Sequence, residues 1–131
     1  MSDDKDHFEA GIKIRRDMFG EAGSVKQIEA ATPFVAPFQD VLTRYCFGEV
    51  WDRPGLDRKT RSLLTLATLT ALSKPNQIKV HVAGALANGC SVEEIRETFL
   101  HTMVYAGVPC GVEAFNAAAE VLARHAAGAK R

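Results

Sequence analysis

The chain has 131 residues, enough for one domain with a real core but too few to enclose a roomy pocket in one subunit, so a site completed by oligomerisation is expected. Sixteen basic residues offset sixteen acidic ones, which excludes a global pull toward nucleic acid or an anionic membrane. The opening Met-Ser-Asp-Asp-Lys-Asp lacks a basic start followed by an apolar run, and no later stretch approaches the length of a membrane span, so a cytoplasmic location is expected.

Ala, Leu, Glu and Arg dominate the periodic stretches and β-branched alternation is missing, which predicts an all-α fold. A first helix is expected over about residues 6–19, with Phe8, Ile12 and Met18 among its apolar positions, Gly20 as a left-handed cap, and Arg15-Arg16 on a solvated face or a subunit contact. Ser24 and Gln27 have capping-box spacing for a short second helix, which the Thr32-Pro33 step ends. From about Pro33 a third helix places Phe34, Phe38, Val41, Leu42 and Tyr45 on one face, read as a core stripe.

The segment from Gly48 to Gly55 then gathers an acid, an indole and a guanidinium, Glu49, Trp51 and Arg53, beside a Pro-Gly turn. From Asp57, a candidate N-cap, to Leu72 the apolar arc through Leu63, Leu64, Leu66, Ala67 and Leu69 is wide enough for a central, most buried helix, and Arg61 near its start is conspicuous. Ser73-Lys74-Pro75 breaks the chain before a helix that carries His81 and stops at Asn88-Gly89. Ser91 and Glu94 form a capping box for the next helix, which packs through Ile95, Phe99, Met103 and Val104, while Glu93, Glu94, Arg96 and Glu97 read as a solvated face. After Gly107-Val108-Pro109 a last helix runs through Phe115, Ala118, Val121 and Leu122 and frays in the tail from about residue 126. Cys46, Cys90 and Cys110 are odd in number and widely spaced, so they read as reduced apolar fillers and not as a disulfide, zinc or redox set.

Taken together, Ala31 to Phe34, Phe38 to Asp40, Thr43 to Tyr45, Gly48 to Trp51, Arg53 to Asp57 and Thr60 to Leu64 resemble the single-domain carboxymuconolactone decarboxylases in words, order and spacing. The resemblance continues through His81, Asn88-Gly89, Glu93 to Glu97 and Tyr105 to Pro109. It implies one alkylhydroperoxidase D-like helical domain over residues 1–131, with an N-terminal arm over about 6–30 and a core over about 33–125, assembled as a trimer or hexamer. Redox members of that superfamily carry C-x-x-C-x-x-x-H; counting back from His81, this chain has Lys74 and Gln77 at the two cysteine positions, so the dithiol peroxidase route has no residues to run on.

The activity implied is decarboxylation of 4-carboxymuconolactone to the β-ketoadipate enol-lactone in aromatic catabolism. The alternatives are a diverged paralogue acting on another small lactone or keto acid, and a non-catalytic oligomeric binding protein. Because the lactone's conjugated ring takes up the electron pair, neither a metal nor an organic cofactor is required. A small dianionic substrate then needs a cationic clamp, a donor at the oxygen where charge develops and a proton source. His81 is expected as acid or oxyanion donor, Glu49 as its orienting group or relay, Arg53 and Arg61 as clamps, and Trp51 and Tyr105 as a low-dielectric wall. Where the family usually shows H-x-R this chain has His81-Val82-Ala83, with Lys79 one turn earlier as a candidate replacement for the missing charge.

Overall fold

The computed structural model describes residues 3–129, and the chain divides into two compact units, Met1–Arg58 and Lys59–Arg131. Every regular element among the described residues is helical, in keeping with the all-α expectation.

In the first unit α1 (Asp3–Phe19) begins earlier than expected and ends where expected, on Gly20 at φ 72°, a left-handed conformation that glycine adopts without a Cβ penalty. Then come α2 (Val25–Ala30), α3 (Ala36–Val41) and, continuous with α3, a π-helix over Leu42–Val50. The capping box foreseen for α2 does not form. The Ser24 hydroxyl instead donates back to the Gly20 carbonyl at 2.7 Å, and the Gln27 side chain faces a different partner.

That partner is Arg15. Far from solvated, Arg15 is 2 % exposed, and its guanidinium donates to Gln39 Oε1 at 2.9 Å and Thr43 Oγ1 at 2.8 Å through Nη1, and to the Gly23 carbonyl at 3.2 Å and Gln27 Oε1 at 3.0 Å through Nη2. All four acceptors are neutral, so a cation is held inside the unit by hydrogen bonds without a carboxylate. Burial pulls its pKa below the usual arginine value, although a guanidinium starts so high that it stays charged. Arg16, its neighbour, does lie at the surface, paired with Glu21 at 2.7 Å.

The buried guanidinium explains a second departure. Gln39 and Thr43 turn inward to meet it, so the apolar stripe on α3 and the π-helix turns outward: Phe38, Val41 and Tyr45 are exposed, as is Phe34 just before α3, at 93 %. Of the expected core stripe only Leu42 joins the first unit's core, which Ile14, Met18, Phe47 and Trp51 form. Phe47 meets Phe19 edge-on at 5.9 Å and Trp51 at 5.7 Å.

Here α1 packs along the π-helix with almost no space between the backbones. A Cβ on Gly11 would overlap the Thr43 carbonyl oxygen, and one on Gly48 the His7 carbonyl oxygen. Gly48→Ala is therefore expected to destabilise the protein by about 3 kcal/mol, because the obstacle is backbone and cannot rotate away. Urea unfolding followed by the emission of Trp51 measures this, and a midpoint unchanged from the wild type would refute the close approach.

The second unit holds the rest of α4 (Arg58–Ala71), α5 (Pro75–Ala87), α6 (Val92–Ala106) and α7 (Val108–Ala129), with α7 packed on both α5 and α6. The helix α4 is not the most buried. Only Ser62, Leu66 and Thr70 are sealed, and Leu64 is exposed, so much of its wide apolar arc faces outward. Ile78, Val82 and Ala85 of α5, Ile95 and Phe99 of α6, and Ala114, Ala118 and Val121 of α7 make the core. Phe115 meets Phe99 edge-on at 5.5 Å, and Leu122 packs alongside, as expected. Val104, expected to pack, is exposed instead.

The breaks are where the sequence puts them. Gly89 and Gly107 take φ of 92° and 108°, and Ser91 caps α6 by accepting from the Glu94 N–H at 3.0 Å while its own N–H donates to Glu94 Oε1 at 2.8 Å. Glu94 also pairs with Lys59 at 2.8 Å, which takes it off the fully solvated face. The last helix starts at Val108 and continues through Ala129, past the expected point of fraying; Lys130 and Arg131 lie outside the described residues. All three cysteines are free thiols, Cys90 buried and the others half-buried. No described helix is long and apolar enough to cross a membrane.

Candidate active site

The candidate residues fall into two groups, Glu49, Trp51 and Arg53 in the first unit and Arg61, His81 and Tyr105 in the second. The first group sits at the mouth of the π-helix. The Trp51 N–H donates to the Cys46 carbonyl at 2.9 Å, five residues back, which carries the π pattern to its end; the Arg53 N–H closes onto the Val50 carbonyl at 3.2 Å and opens the Pro-Gly turn. This geometry exposes the Glu49 and Arg53 side chains while sending the Trp51 indole inward, 9 % exposed, against Phe47. Trp51 is thus a core anchor of its unit.

In the second unit His81 occupies the middle of α5 and is half-buried, with Nδ1 sealed from solvent. Burial is the cause that pushes its pKa below the usual imidazole value of 6.5. The imidazole is therefore neutral near pH 7. Burial thus disfavours the charged imidazole, which bears on the expectation of a proton held ready close to neutrality. Arg61 lies in the first turns of α4, half-buried, with its Nε also sealed. Tyr105 is 81 % exposed, its ring 5.3 Å from that of His101.

Lys74 and Gln77, at the positions where redox relatives carry thiols, are exposed at the start of α5. Ala83 is also exposed, and Lys79, one turn before it, sends its ammonium to Glu120 Oε2 at 2.8 Å. Lys79 is thus engaged by α7 and does not replace the missing arginine beside His81.

Sequence reasoning missed the Arg15 network, although a signal was present. Gly11, Arg15 and Met18 follow the i, i+4, i+7 spacing, so the arginine shares the face that buries Met18.

Comparison with known proteins bears on what these residues do. The profile of the carboxymuconolactone decarboxylase family matches residues 36–120. A 4-carboxymuconolactone decarboxylase of Acinetobacter baylyi is 36 % identical over 118 residues, 90 % of this chain and 88 % of its own. A nitrosuccinic acid decarboxylase of Metarhizium robertsii is 44 % identical over 107 residues, 82 % of this chain and 75 % of its own. An uncharacterised 15.0 kDa protein of Paracoccus denitrificans is 40 % identical over 80 residues, 59 % of each chain.

Proposed function

Because the chain belongs to the carboxymuconolactone decarboxylase family, we propose that it decarboxylates a small dianionic acid whose own framework takes up the electron pair. The observation that carries this reading is similarity along most of the chain to two decarboxylases named for different substrates. Those substrates share one chemical feature. In the lactone the departing electrons delocalise through the ring to an oxygen; in nitrosuccinate a nitro group beside a carboxylate offers the same sink.

In this reaction the bond from carbon to carboxylate breaks, carbon dioxide leaves, the electron pair moves to the conjugated oxygen, and a proton added at carbon gives the product. His81, neutral and partly desolvated, is assigned as the N–H donor to that oxygen, where a fixed dipole in a low-dielectric site acts more strongly than water does. Arg53 and Arg61 are assigned to the carboxylate that stays, through their planar forks. Glu49 is assigned to relay the proton; Trp51, buried against Phe47, supports that segment from the core, and the exposed Tyr105 would join an apolar wall only where a second copy covers it.

Our first choice of substrate is 4-carboxymuconolactone, with the β-ketoadipate enol-lactone as product and a cytoplasmic setting in aromatic catabolism. The second reading, a nitro-substituted succinate, is favoured by the 44 % identity and by Ala83 standing where an arginine is usual beside the histidine. A homo-oligomer, trimer or hexamer, forms part of the same proposal. It is supported by the outward apolar stripe of Phe34, Phe38, Val41 and Tyr45, which is large for a surface left in water.

The test is ultraviolet-monitored turnover of freshly generated 4-carboxymuconolactone and, in parallel, of nitrosuccinate by the purified protein, with carbon dioxide release measured alongside. Loss of the lactone absorbance with stoichiometric carbon dioxide is expected. Turnover of nitrosuccinate alone would replace the first substrate by the second, and turnover of neither would overturn the decarboxylase reading for these acids.

A further inference from the structure

Beside the candidate active site, the second unit carries a groove that the proposed reaction does not use. It lies between α5 and α7, is open to solvent and offers about 510 Å³. Its floor is apolar, from Ala83, Leu86 and Val121, and its rim is basic, from Lys79, Arg124 and His125. Positions 79, 83 and 86 form one stripe along α5, and His81 stands about 200° around the helix from Lys79 at 100° per residue, so the groove opens away from the imidazole.

Charge around the rim is uneven in a useful way. Lys79 is held by Glu120 at 2.8 Å, and this pair spans from α5 to α7 at one end of the groove. Arg124, one turn beyond Glu120 on α7, also feels that carboxylate but forms no hydrogen bond or ion pair with it within 4 Å, and His125 stands beside Arg124 on the rim. Together with the spent pair, they leave the rim with a net positive charge facing an apolar floor. A groove of this size suits a ligand of small-molecule dimensions.

From this arrangement we propose that the α5–α7 groove is a second ligand site, which binds a small carboxylate with an apolar body. The body lies on Ala83, Leu86 and Val121, and the carboxylate meets the Arg124 guanidinium, whose two parallel N–H groups match its geometry, with His125 as a further donor. A ligand without charge forgoes the Arg124 contact, and one without an apolar body leaves the floor wet. No residue of the groove is assigned a step in the proposed decarboxylation; Ala83, on its floor, enters that reading only as the position where an arginine is usual.

The experiment is a titration of the full-length protein with 3-phenylpropanoate, followed by isothermal calorimetry, with 3-phenylpropanamide as the uncharged counterpart. Saturable binding of the acid is expected, weakened at least about tenfold for the amide and in Arg124→Gln. Arg124 is exposed, so the variant keeps its fold; Ala87→Trp, which fills the groove from another exposed position, is expected to abolish binding as well. His81→Ala is expected to bind the acid as the wild type does. No binding of the acid, equal binding in Arg124→Gln, or loss of binding in His81→Ala alone would each overturn the proposal.

Discussion

Arg15→Ala is expected to lower the unfolding free energy by about 3–5 kcal/mol, the size of a buried void combined with unpaired buried acceptors. The cost has two sources. Truncation leaves a void the size of a long side chain, and it strands acceptors on Gln39, Thr43, Gly23 and Gln27, of which Gln39 and Thr43 are buried out of reach of water. Arg15→Lys is expected to recover only part of the loss, since an ammonium has three donors on one nitrogen and cannot span four acceptors arranged around a planar fork. Chemical denaturation followed by Trp51 emission, which reports on the same unit, measures both variants. A loss below about 1 kcal/mol for alanine, the size of an ordinary surface change, would contradict the network's importance.

This network also marks where sequence reading stops. Signals that act over a few residues were legible: the Ser91–Glu94 box, the left-handed Gly20, Gly89 and Gly107, and the breaks at Pro75 and Pro109. The spacing of Phe34, Phe38, Val41 and Tyr45 identified a coherent apolar face but not which way it points. Periodicity reports that a face exists; orientation depends on what the opposite face must satisfy, here a guanidinium contributed by a helix more than twenty residues away. The same limit applies to α4, whose wide apolar arc is half turned outward. At the candidate site the residue types were readable from the resemblance, whereas the burial of His81, which lowers its pKa, depends on helix packing that no local motif encodes.

His81→Ala is the second large expectation: under the proposed reaction, kcat/KM falls by about a hundred- to ten-thousandfold, the usual contribution of a positioned donor or acid. His81→Asn retains an N–H donor on a side chain of similar reach and is expected to lose less. Because burial depresses the imidazole pKa, the wild-type kcat/KM is expected to stay level from pH 8 through 7 and to decline only on acidification below 6.5. A profile that rises as pH falls from 8 to 6 would mean that the imidazolium is the active form. Stability follows the same sign. The unfolded chain takes up the proton first, so the His81 contribution is complete above the unfolded value of 6.5 and is lost as pH falls toward the lower folded value.

The π-helix over Leu42–Val50 has a bearing on how this segment tolerates changes of chain length. Its hydrogen bonds reach back five residues where an α-helix reaches four, so the coil holds surplus chain in each turn. Deleting one residue from it would turn a five-residue reach into a four-residue one, so the turn that loses it tightens into an ordinary α-turn and the residues beyond stay stacked over the same partners. Glu49 would keep its outward station and Trp51 its seat against Phe47. The segment thus has one residue of slack in each such turn, and a loss of length there is absorbed locally where in a plain α-helix it would rotate every side chain that follows.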